Sequence, residues 1–495
     1  MICVSIGRTR HKMVALEHRA LAEKGAQLVE YRLDWLSHMP DVGRLLKHAP
    51  TPVVATCRRQ SDKGRWRHSE EQRLNILRQA IAAGVDYVDL EDDVAQKIPR
   101  YGSTKRIVSH HNFDETPEHL QEIHDRLAAC DPDYVKLVTM ANSPRDTIRM
   151  LKLVEEAQVP TIGFCMGELG TVSRILCGKY GAPFTYATFS RERELAPGQL
   201  SFEEMHDTYR YDSIKPTTQV FGVLGDPIAH SYSPLIHNAA FAAADVDAVY
   251  LPLRVPKDAL TDTLDAYDWL DIAGYSVTIP HKEGVLAKAD RSDDSVKDIG
   301  AANTLFRRKQ GVWHATNTDY EAALAGIRLG LKARNESDAS LAGKKILMLG
   351  AGGVARAVAM GVVRAGAALT IANRTKERAV ELAGQLGCQH IGWENRASVL
   401  ADVVVNCTPI GMHPHVDESP FEQNWLRDGM VVFDTVYNPE NTLFIKQARE
   451  HECFTVTGIE MFVRQAAAQF EIFTGQPAPR DVMRDALRKG ISALR

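Results

Sequence analysis

A chain of 495 residues with 44% hydrophobic and 25% charged side chains is too long for one hydrophobic core and predicts about three structural domains. Its formal charge of -4 excludes a general attraction to nucleic acid or to an anionic membrane, which leaves small molecules as the expected partners. No apolar run approaches the ~18 residues needed to span a bilayer. Eight cysteines, at 3, 57, 130, 165, 177, 388, 407 and 453, show no Cys-x-x-Cys pair and no Cys/His ligand spacing. Buried thiols in a reducing compartment, no metal site and a cytoplasmic location are therefore expected. Strand-like residues begin at Ile2, so no targeting peptide is expected ahead of the fold.

Short β-rich runs at 1–6, 27–33, 52–57, 87–91, 105–110, 134–139, 161–166 and 184–189 alternate with charged segments of helical period such as 70–83 and 144–157. Strand-helix alternation implies a parallel sheet. Eight such units predict an α/β chain whose N-terminal part, 1–212, is a closed (β/α)8 barrel. A polar stretch at 213–219 reads as a linker, and the pattern restarts at Val220. There follow a smaller α/β unit over 220–320, a dinucleotide-binding unit of Rossmann type over 321–457, and C-terminal helices over 458–495 expected to pack back toward the smaller unit.

The strand ends of the barrel are unusually polar, and active sites of this fold lie at the carboxyl ends of its strands. They offer Glu30 and Arg32, Arg58, Asp89 and Glu91, His111 and Lys136, with Arg174 just beyond strand seven. Lys136 stands among apolar neighbours in Tyr134-Val-Lys-Leu-Val138, where desolvation and nearby cations favour a neutral, nucleophilic amine able to form a Schiff base. A lysine snorkelling at a strand end has the same local pattern. His111, on the preceding strand, supplies a proton shuttle beside it, and strand alternation turns His110 away.

Through Glu30-Tyr-Arg-Leu-Asp34, Thr56-Cys-Arg58, Val108-Ser-His-His-Asn-Phe113, Asp133-Tyr-Val-Lys136, Met166-Gly with Ser173-Arg174, and Ala196-Pro-Gly-Gln199, the first 212 residues resemble the type I 3-dehydroquinate dehydratases. The resemblance implies that Lys136 forms an imine with the substrate ketone. It implies too that His111 removes the proton from the adjacent carbon and assists loss of the β-hydroxyl as water. The product is 3-dehydroshikimate. Arg174 would pair with the ring carboxylate through its forked donors, while Glu30, Arg32, Arg58 and Gln199 hold hydroxyls. Two positions depart from the family: Asp62-Lys-Gly64 stands where Glu-Gly-Gly is usual, which leaves the partner of His111 open, and Leu195 replaces a serine.

The smaller unit holds three polar clusters in apolar surroundings: His230-Ser-Tyr-Ser233, Thr278-Ile-Pro-His-Lys282, and Asn303 with Asn317-Thr-Asp319. Ser231 and Ser233 suit a helix start at 234, and two hydroxyls near a helix N-terminus also suit a carboxylate. Lys282 has the setting of a solvated helix-start lysine, and Asp319 that of an N-cap. In the next unit a strand runs into Gly350-Ala-Gly-Gly-Val-Ala355 and a helix. Gly350 permits the tight turn, Gly352 admits a pyrophosphate and Ala355 keeps the helix close to the sheet, with Ala351, Gly353 and Val354 completing the loop. An ordinary strand-to-helix turn would share the glycines. The second strand, however, ends in Asn373, Arg374 and Thr375, followed by Lys376 and Arg378, where an NAD site would carry an acid; a 2′-phosphate and hence NADP are expected.

These clusters, with Gly225-Asp-Pro-Ile-Ala-His-Ser-Tyr-Ser-Pro234, Gly300-Ala-Ala-Asn-Thr304 and Gly458-Ile-Glu-Met-Phe-Val-Arg-Gln465, resemble the shikimate dehydrogenases. The resemblance implies that Ser231 and Ser233 bind a carboxylate and that Thr278, Asn303 and Gln465 bind ring hydroxyls. Lys282 with Asp319 would be the acid/base pair at the reacting oxygen. Thr408, Tyr437 and Gly458 would lie on the cofactor, with NADPH supplying hydride. Ser276 stands where the family often has asparagine. The two implied reactions are consecutive steps of the shikimate pathway. A Schiff-base aldolase barrel fused to a dehydrogenase acting on quinate remains as an alternative, as does a non-catalytic dinucleotide-sensing module; the serine pair argues against the first, and Lys136, His111, Lys282 and Asp319 together against the second.

Overall fold

The computed structural model describes residues 1–307, 311–334 and 339–492; the expected last turn of the C-terminal helix, at 493–495, lies outside them. The chain divides into two compact units, residues 1–220 with 247–255 and 261–272, and residues 221–246 with 256–260 and 273–495.

The first unit is built on β1 (Ile2–Ile6), β2 (Leu28–Arg32), β3 (Val53–Thr56), β4 (Tyr87–Glu91), β5 (Lys105–Asn112), β6 (Tyr134–Met140), β7 (Thr161–Met166) and β8 (Thr185–Thr188). They are hydrogen-bonded in the order β7-β6-β5-β4-β3-β2-β1-β8, every ladder parallel. The expected closure is incomplete: no β7–β8 ladder forms among the described residues, and Thr188 at the free edge of β8 instead bridges to Ser201. The helices between strands carry their own start signals. Ser69 and Gln72 form a capping box before Glu70–Ala82, and Ser143 with Asp146 does the same before Pro144–Glu156.

Alternation along the strands decides what fills the barrel. Cys3, Leu28, Val54, Ile107, Ile162 and Phe184 form a buried apolar floor, with Tyr87 and Tyr134 packed against it. Two residues on, the same faces carry Ser5, Glu30, Thr56, Asp89, Ser109, Lys136, Phe164 and Tyr186, all buried. The barrel thus changes from oil to charge within one step of the pleat.

In the second unit β9 (Gln219–Gly225) pairs in parallel with β11 (Gly274–Val277), whose other edge is antiparallel to β13 (Thr304–Arg307); β14 (Trp313–Thr316) follows antiparallel, with the short β12 (Arg291–Ser292) beside it. The intervening β10 (Ala248–Arg254) falls in a segment grouped with the first unit. A separate, wholly parallel sheet comprises β15 (Lys345–Leu349), β16 (Ala368–Asn373), β17 (Gln389–Gly392), β18 (Val403–Asn406), β19 (Val431–Asp434) and β20 (Phe454–Val456). Its order, β17-β16-β15-β18-β19-β20, reverses between β15 and β18, the switch point at which doubly wound sheets bind dinucleotides. Ile346 to Leu349 are buried on both faces, as a central parallel strand requires.

The C-terminal helices span Gly458–Thr474 and Arg480–Ser492. Phe473 stacks on Phe221 at 5.0 Å and Phe470 lies 5.6 Å from Phe241, so the tail covers the sheet that contains β9. All eight cysteines are free; Cys130, Cys388 and Cys407 are half-buried and the rest buried. Among the described residues no helix is long and apolar enough to cross a membrane.

Candidate active sites

At the carboxyl end of the barrel one cavity is lined by Glu30, Arg32, Arg58, His111, Lys136, Arg174 and Gln199, together with Ser5, Asp62, Leu195 and Tyr186; Asp89 and Glu91, also offered by the strand ends, are not among its lining residues. Lys136 reaches it from β6, opposite Ser109 in register on β5. Its Nζ donates to Asp89 Oδ2 at 3.0 Å, lies 3.8 Å from Glu30 Oε1 and sits 3.8 Å above the Tyr186 ring. The expected cationic surroundings of Lys136 are corrected here: two carboxylates are its nearest charged neighbours. They are inward residues of β2 and β4, and alternation brings them onto the face from which Lys136 projects.

Those carboxylates are themselves tightly held. Glu30 accepts hydrogen bonds from Ser5 Oγ and Thr56 Oγ1 at 2.6 and 2.7 Å. Asp89 accepts from Ser109 Oγ at 2.6 Å and from Arg58 Nη2 at 2.9 Å. Burial opposes its charge, but Arg58, Lys136 and His111 outweigh that and hold its carboxyl far below the usual carboxylate range. Arg58 continues to Glu91 at 3.0 Å, and Glu91 to the fully buried Arg73 at 2.9 Å.

His111 faces the cavity and stacks near Phe113, 6.0 Å between ring centres. Burial, reinforced by the Arg58 and Lys136 cations, holds its imidazole well below the usual range against the pull of Asp89. It is therefore a neutral base at neutral pH. His110 points away, 3.8 Å from Asp92 Oδ2. Arg174, on the helix Thr171–Leu176, is 1% exposed. Its Nη1 donates to Tyr186 O at 3.3 Å, whereas Nε and Nη2 are buried without a partner. Burial pushes its guanidinium down to about 10. A buried cation with two unused donors is strongly incomplete, and an anion in the cavity completes it. Arg32 is occupied by Asp34 at 3.0 and 2.9 Å, and the Gln199 side-chain oxygen accepts the Leu195 N–H at 3.1 Å. Asp62, the shortened acid, is taken by Arg59 Nε at 2.5 Å, so no hydrogen bond joins it to His111.

In the second unit Lys282 Nζ donates to Asp319 Oδ2 at 2.6 Å. The reading of Asp319 as a helix cap is corrected: Asn317 caps Thr318–Ala333, its Oδ1 accepting the Asp319 N–H at 3.1 Å, and Asp319 two residues on keeps its carboxylate for the lysine. Asn303 Oδ1 accepts from Thr318 N at 2.8 Å while its Nδ2 donates to Thr318 Oγ1 at 2.9 Å, tying β13 to the start of that helix. Ser231 Oγ accepts from Ser233 N at 3.3 Å at the head of Ser233–Ala243, one residue earlier than expected. Gln465 bonds back to Phe462 O at 3.0 Å. Among the described residues no hydrogen bond joins Ser231, Ser233, Thr278 or Gln465 to the Lys282–Asp319 pair. Ser276 is explained by Gln469, which takes its hydroxyl at 2.7 Å and donates to Asn303 O at 3.0 Å.

At the switch point Gly350 has φ +114, and a Cβ there would meet Cys407 O at 2.9 Å, so glycine is required. A Cβ at Gly352 or Gly353 would meet nothing within 4 Å, which leaves the head of the helix Gly353–Arg364 open to a pyrophosphate, with Ala351 and Ala355 buried and Val354 half-buried around it. Asn373 Nδ2 bonds Thr375 O at 2.8 Å and shapes the end of β16. Arg374, Lys376 and Arg378 are exposed and make no ion pair among the described residues. Thr408 is held by Asn406 Oδ1 at 2.9 and 2.7 Å. Tyr437 packs on Phe462 at 4.5 Å, and a Cβ at Gly458 would meet Val436 O at 2.3 Å. Open glycines at a helix head and unpaired cations at the second strand fit a dinucleotide bearing a 2′-phosphate.

Comparison with known proteins agrees with both halves. Residues 2–216 match the type I 3-dehydroquinase family, 223–305 the shikimate dehydrogenase substrate binding domain, 332–460 shikimate / quinate 5-dehydrogenase and 458–488 the shikimate 5′-dehydrogenase C-terminal domain. The chain is 39% identical over 503 aligned positions, 97% of its length and 83% of the relative's, to the chloroplastic bifunctional 3-dehydroquinate dehydratase/shikimate dehydrogenase of Arabidopsis thaliana. It belongs to that bifunctional family. A shikimate dehydrogenase (NADP(+)) of Moorella thermoacetica is 39% identical over 57% of the chain and 96% of its own length. A solved shikimate dehydrogenase in complex with NADP+ superposes with a TM-score of 0.53 at 34% identity, over 56% of this chain and 97% of that one.

Several residues that matter were not assigned a role from the sequence. Alternation alone places Asp89 and Ser109 on the Lys136 face. Tyr186 gave no signal beyond being an inward aromatic. Gln469 lies one helical turn after Gln465, a spacing that puts both on one face.

Proposed function

We infer that this chain dehydrates 3-dehydroquinate to 3-dehydroshikimate in the barrel over 1–212 and reduces that ketone to shikimate with NADPH in the rest. In the reduction, 220–320 and the 458–495 helices hold substrate and 321–457 the cofactor. The observation that carries the reading is the cavity joining Lys136, His111 and the guanidinium of Arg174, whose Nε and Nη2 have no partner. The carboxylate of the substrate satisfies Arg174, and Glu30, Arg32, Arg58 and Gln199 orient its hydroxyls. Lys136 Nζ adds to the ketone carbon after its ammonium gives up a proton, that proton returns as the carbinolamine hydroxyl leaves as water, and the resulting iminium cation occupies the position of the ammonium, where Asp89 and Glu30 stabilise it. His111 takes the proton from the adjacent carbon; that electron pair expels the β-hydroxyl, which leaves as water with the proton from His111. Hydrolysis of the imine returns Lys136.

In the second site Ser231 and Ser233 receive the carboxylate at a helix N-terminus, with Thr278, Asn303 and Gln465 on the ring hydroxyls. Bound NADPH supplies hydride to the ketone carbon. Lys282, held by Asp319, protonates the oxygen as negative charge develops there. Gly350 to Ala355, Thr408, Tyr437 and Gly458 seat the dinucleotide, and Asn373, Arg374, Thr375 and Arg378 its 2′-phosphate. A cytoplasmic setting completes the reading.

Given 3-dehydroquinate alone, the protein is expected to form an absorbing conjugated enone; NADPH added afterwards is consumed as shikimate forms. Borohydride added with 3-dehydroquinate should leave the ligand's mass on Lys136. An enone formed without that adduct would remove the imine step while leaving the dehydration.

A further inference from the structure

The carboxylate of Asp434 is fully buried at the end of β19 and belongs to neither the Lys282–Asp319 pair nor the glycine turn. Three donors from three segments converge on it. Asn406 Nδ2, at the end of β18, donates to Oδ1 at 2.9 Å; Val436 N donates to Oδ1 at 3.0 Å; and Thr442 Oγ1, the cap of the helix Leu443–Glu450, donates to Oδ2 at 2.6 Å. Asn406 in turn spends its oxygen on the Thr408 N–H and hydroxyl. Val436 precedes Tyr437, whose ring is wedged against Phe462, and the loop cannot retreat because Gly458 lies directly on Val436 O. One anion therefore sets both loops, 406–408 and 435–437, that follow the strands next to the switch point.

We propose that Asp434 is a positioning residue for the nicotinamide end of the dinucleotide, holding Thr408 and Tyr437 in a single arrangement so that cofactor affinity depends on its being ionised. This rests on the reading of the second unit as a dinucleotide site. All three of its partners donate, so an ionised carboxylate satisfies them, whereas a protonated one gives up an acceptor position inside a dry interior. The geometry places that choice in reach of ordinary pH, because burial raises the carboxyl to about 6 against the pull of Thr442, Val436 and Asn406. Cys407 is the titratable side chain that feels its charge, and the thiol is pushed up by burial first and by Asp434 second. On the helix capped by Thr442, Lys446, Arg449 and Glu450 are exposed.

The test is calorimetric titration of the full chain with NADP+ between pH 5 and 7.5, on the wild type, Asp434→Asn and Thr442→Val. Asparagine copies the protonated carboxyl, so Asp434→Asn is expected to bind NADP+ about tenfold more weakly at pH 7.5. The wild type should approach the variant's affinity at pH 5. Any pH dependence that persists in Asp434→Asn belongs to the 2′-phosphate of NADP+ itself. Thr442→Val removes one donor without touching either loop and should weaken binding two- to threefold. In turnover the KM for NADP+ should rise while the KM for shikimate and the barrel's dehydration stay level. A general structural role would move all three together and overturn the assignment, as would an Asp434→Asn dissociation constant equal to wild type. Should that variant not fold, an unchanged constant for Thr442→Val overturns it alone. A wild type that binds no NADP+ would instead remove the reading of the whole unit.

Discussion

The two lysines of this chain stand in opposite electrical settings. Lys136 is buried between two carboxylates and above an aromatic face, and its partner Asp89 is bound to Arg58 and Ser109. Lys282 has one carboxylate, and both side chains of the pair are partly open, 20% and 10% exposed. In the reading proposed above, the barrel carries its electrostatic stabilisation preassembled around the position of the iminium, while the dehydrogenase half presents a simple acid that substrate and cofactor complete. The separation is broken most directly by exchange of the lysines. Lys136→Ala is expected to reduce enone formation from 3-dehydroquinate to background, with reduction of supplied 3-dehydroshikimate intact. Lys282→Ala should do the reverse, slowing reduction by ~10²–10⁴-fold. Loss of both activities in either variant would show that the sites are not independent.

The same contrast extends to stability. Asp89→Asn leaves Arg58 and Lys136 facing a neutral amide in a buried site, and removal of one partner from such a network costs about 3–5 kcal/mol. Asp319→Asn breaks a single pair whose lysine is one-fifth exposed to water, and should cost less than Asp89→Asn. Urea unfolding of the two variants measures the difference; equal losses would mean that the barrel network is no more demanding than a single, partly open pair.

A smaller effect follows from histidines that fold in the neutral form. His18 is wholly buried between Tyr31 Oη at 2.6 Å and Thr51 Oγ1 at 2.7 Å, and burial pushes it down to about 4. The unfolded chain binds that proton near pH 6.5 and the folded chain does not, so stability is complete above 6.5 and is lost as pH falls toward 4, by about 3 kcal/mol. His111 is lowered in the same direction, so dehydration should keep its base below pH 6.5. A kcat/KM profile for dehydration that halves at 6.5 would show that His111 is not the depressed group.

The parts of this structure that were legible from sequence are those governed by short periods. Alternation on eight strands put Glu30, Arg58, His111 and Lys136 on inward faces, and the glycine turn between two strands marked the dinucleotide sheet, because both signals lie within a few residues of one another. What stayed hidden depends on segments far apart. Asp89 acquires its meaning from Lys136, Arg58 and Ser109 on three other strands, and Asp434 from 406, 436 and 442. Periodicity tells which face a side chain occupies, not which charge crosses the barrel to meet it; for that reason the neighbours of Lys136 were expected to be cations. The seam between β7 and β8 and the cap at Asn317 rather than Asp319 turn on one or two residues of register, finer than a pattern resolves.

The mildest expected effect concerns cofactor choice, and it sharpens what the second unit leaves for its ligands to complete. Arg374 follows the strand whose neighbour carries the glycine turn, is exposed and has no ion pair among the described residues. In the reading above its partner is the 2′-phosphate. Arg374→Ala should weaken NADP+ by ~1.5–3 kcal/mol, the worth of one charge-assisted hydrogen bond, while NAD+, which lacks that phosphate, loses almost nothing. The discrimination should shrink as salt rises, since the contact is solvent-exposed and screened. Equal weakening of both dinucleotides in titrations at one ionic strength would place the arginine on the pyrophosphate or the adenine instead, and would return the preference for NADP to Asn373, Thr375 and Arg378.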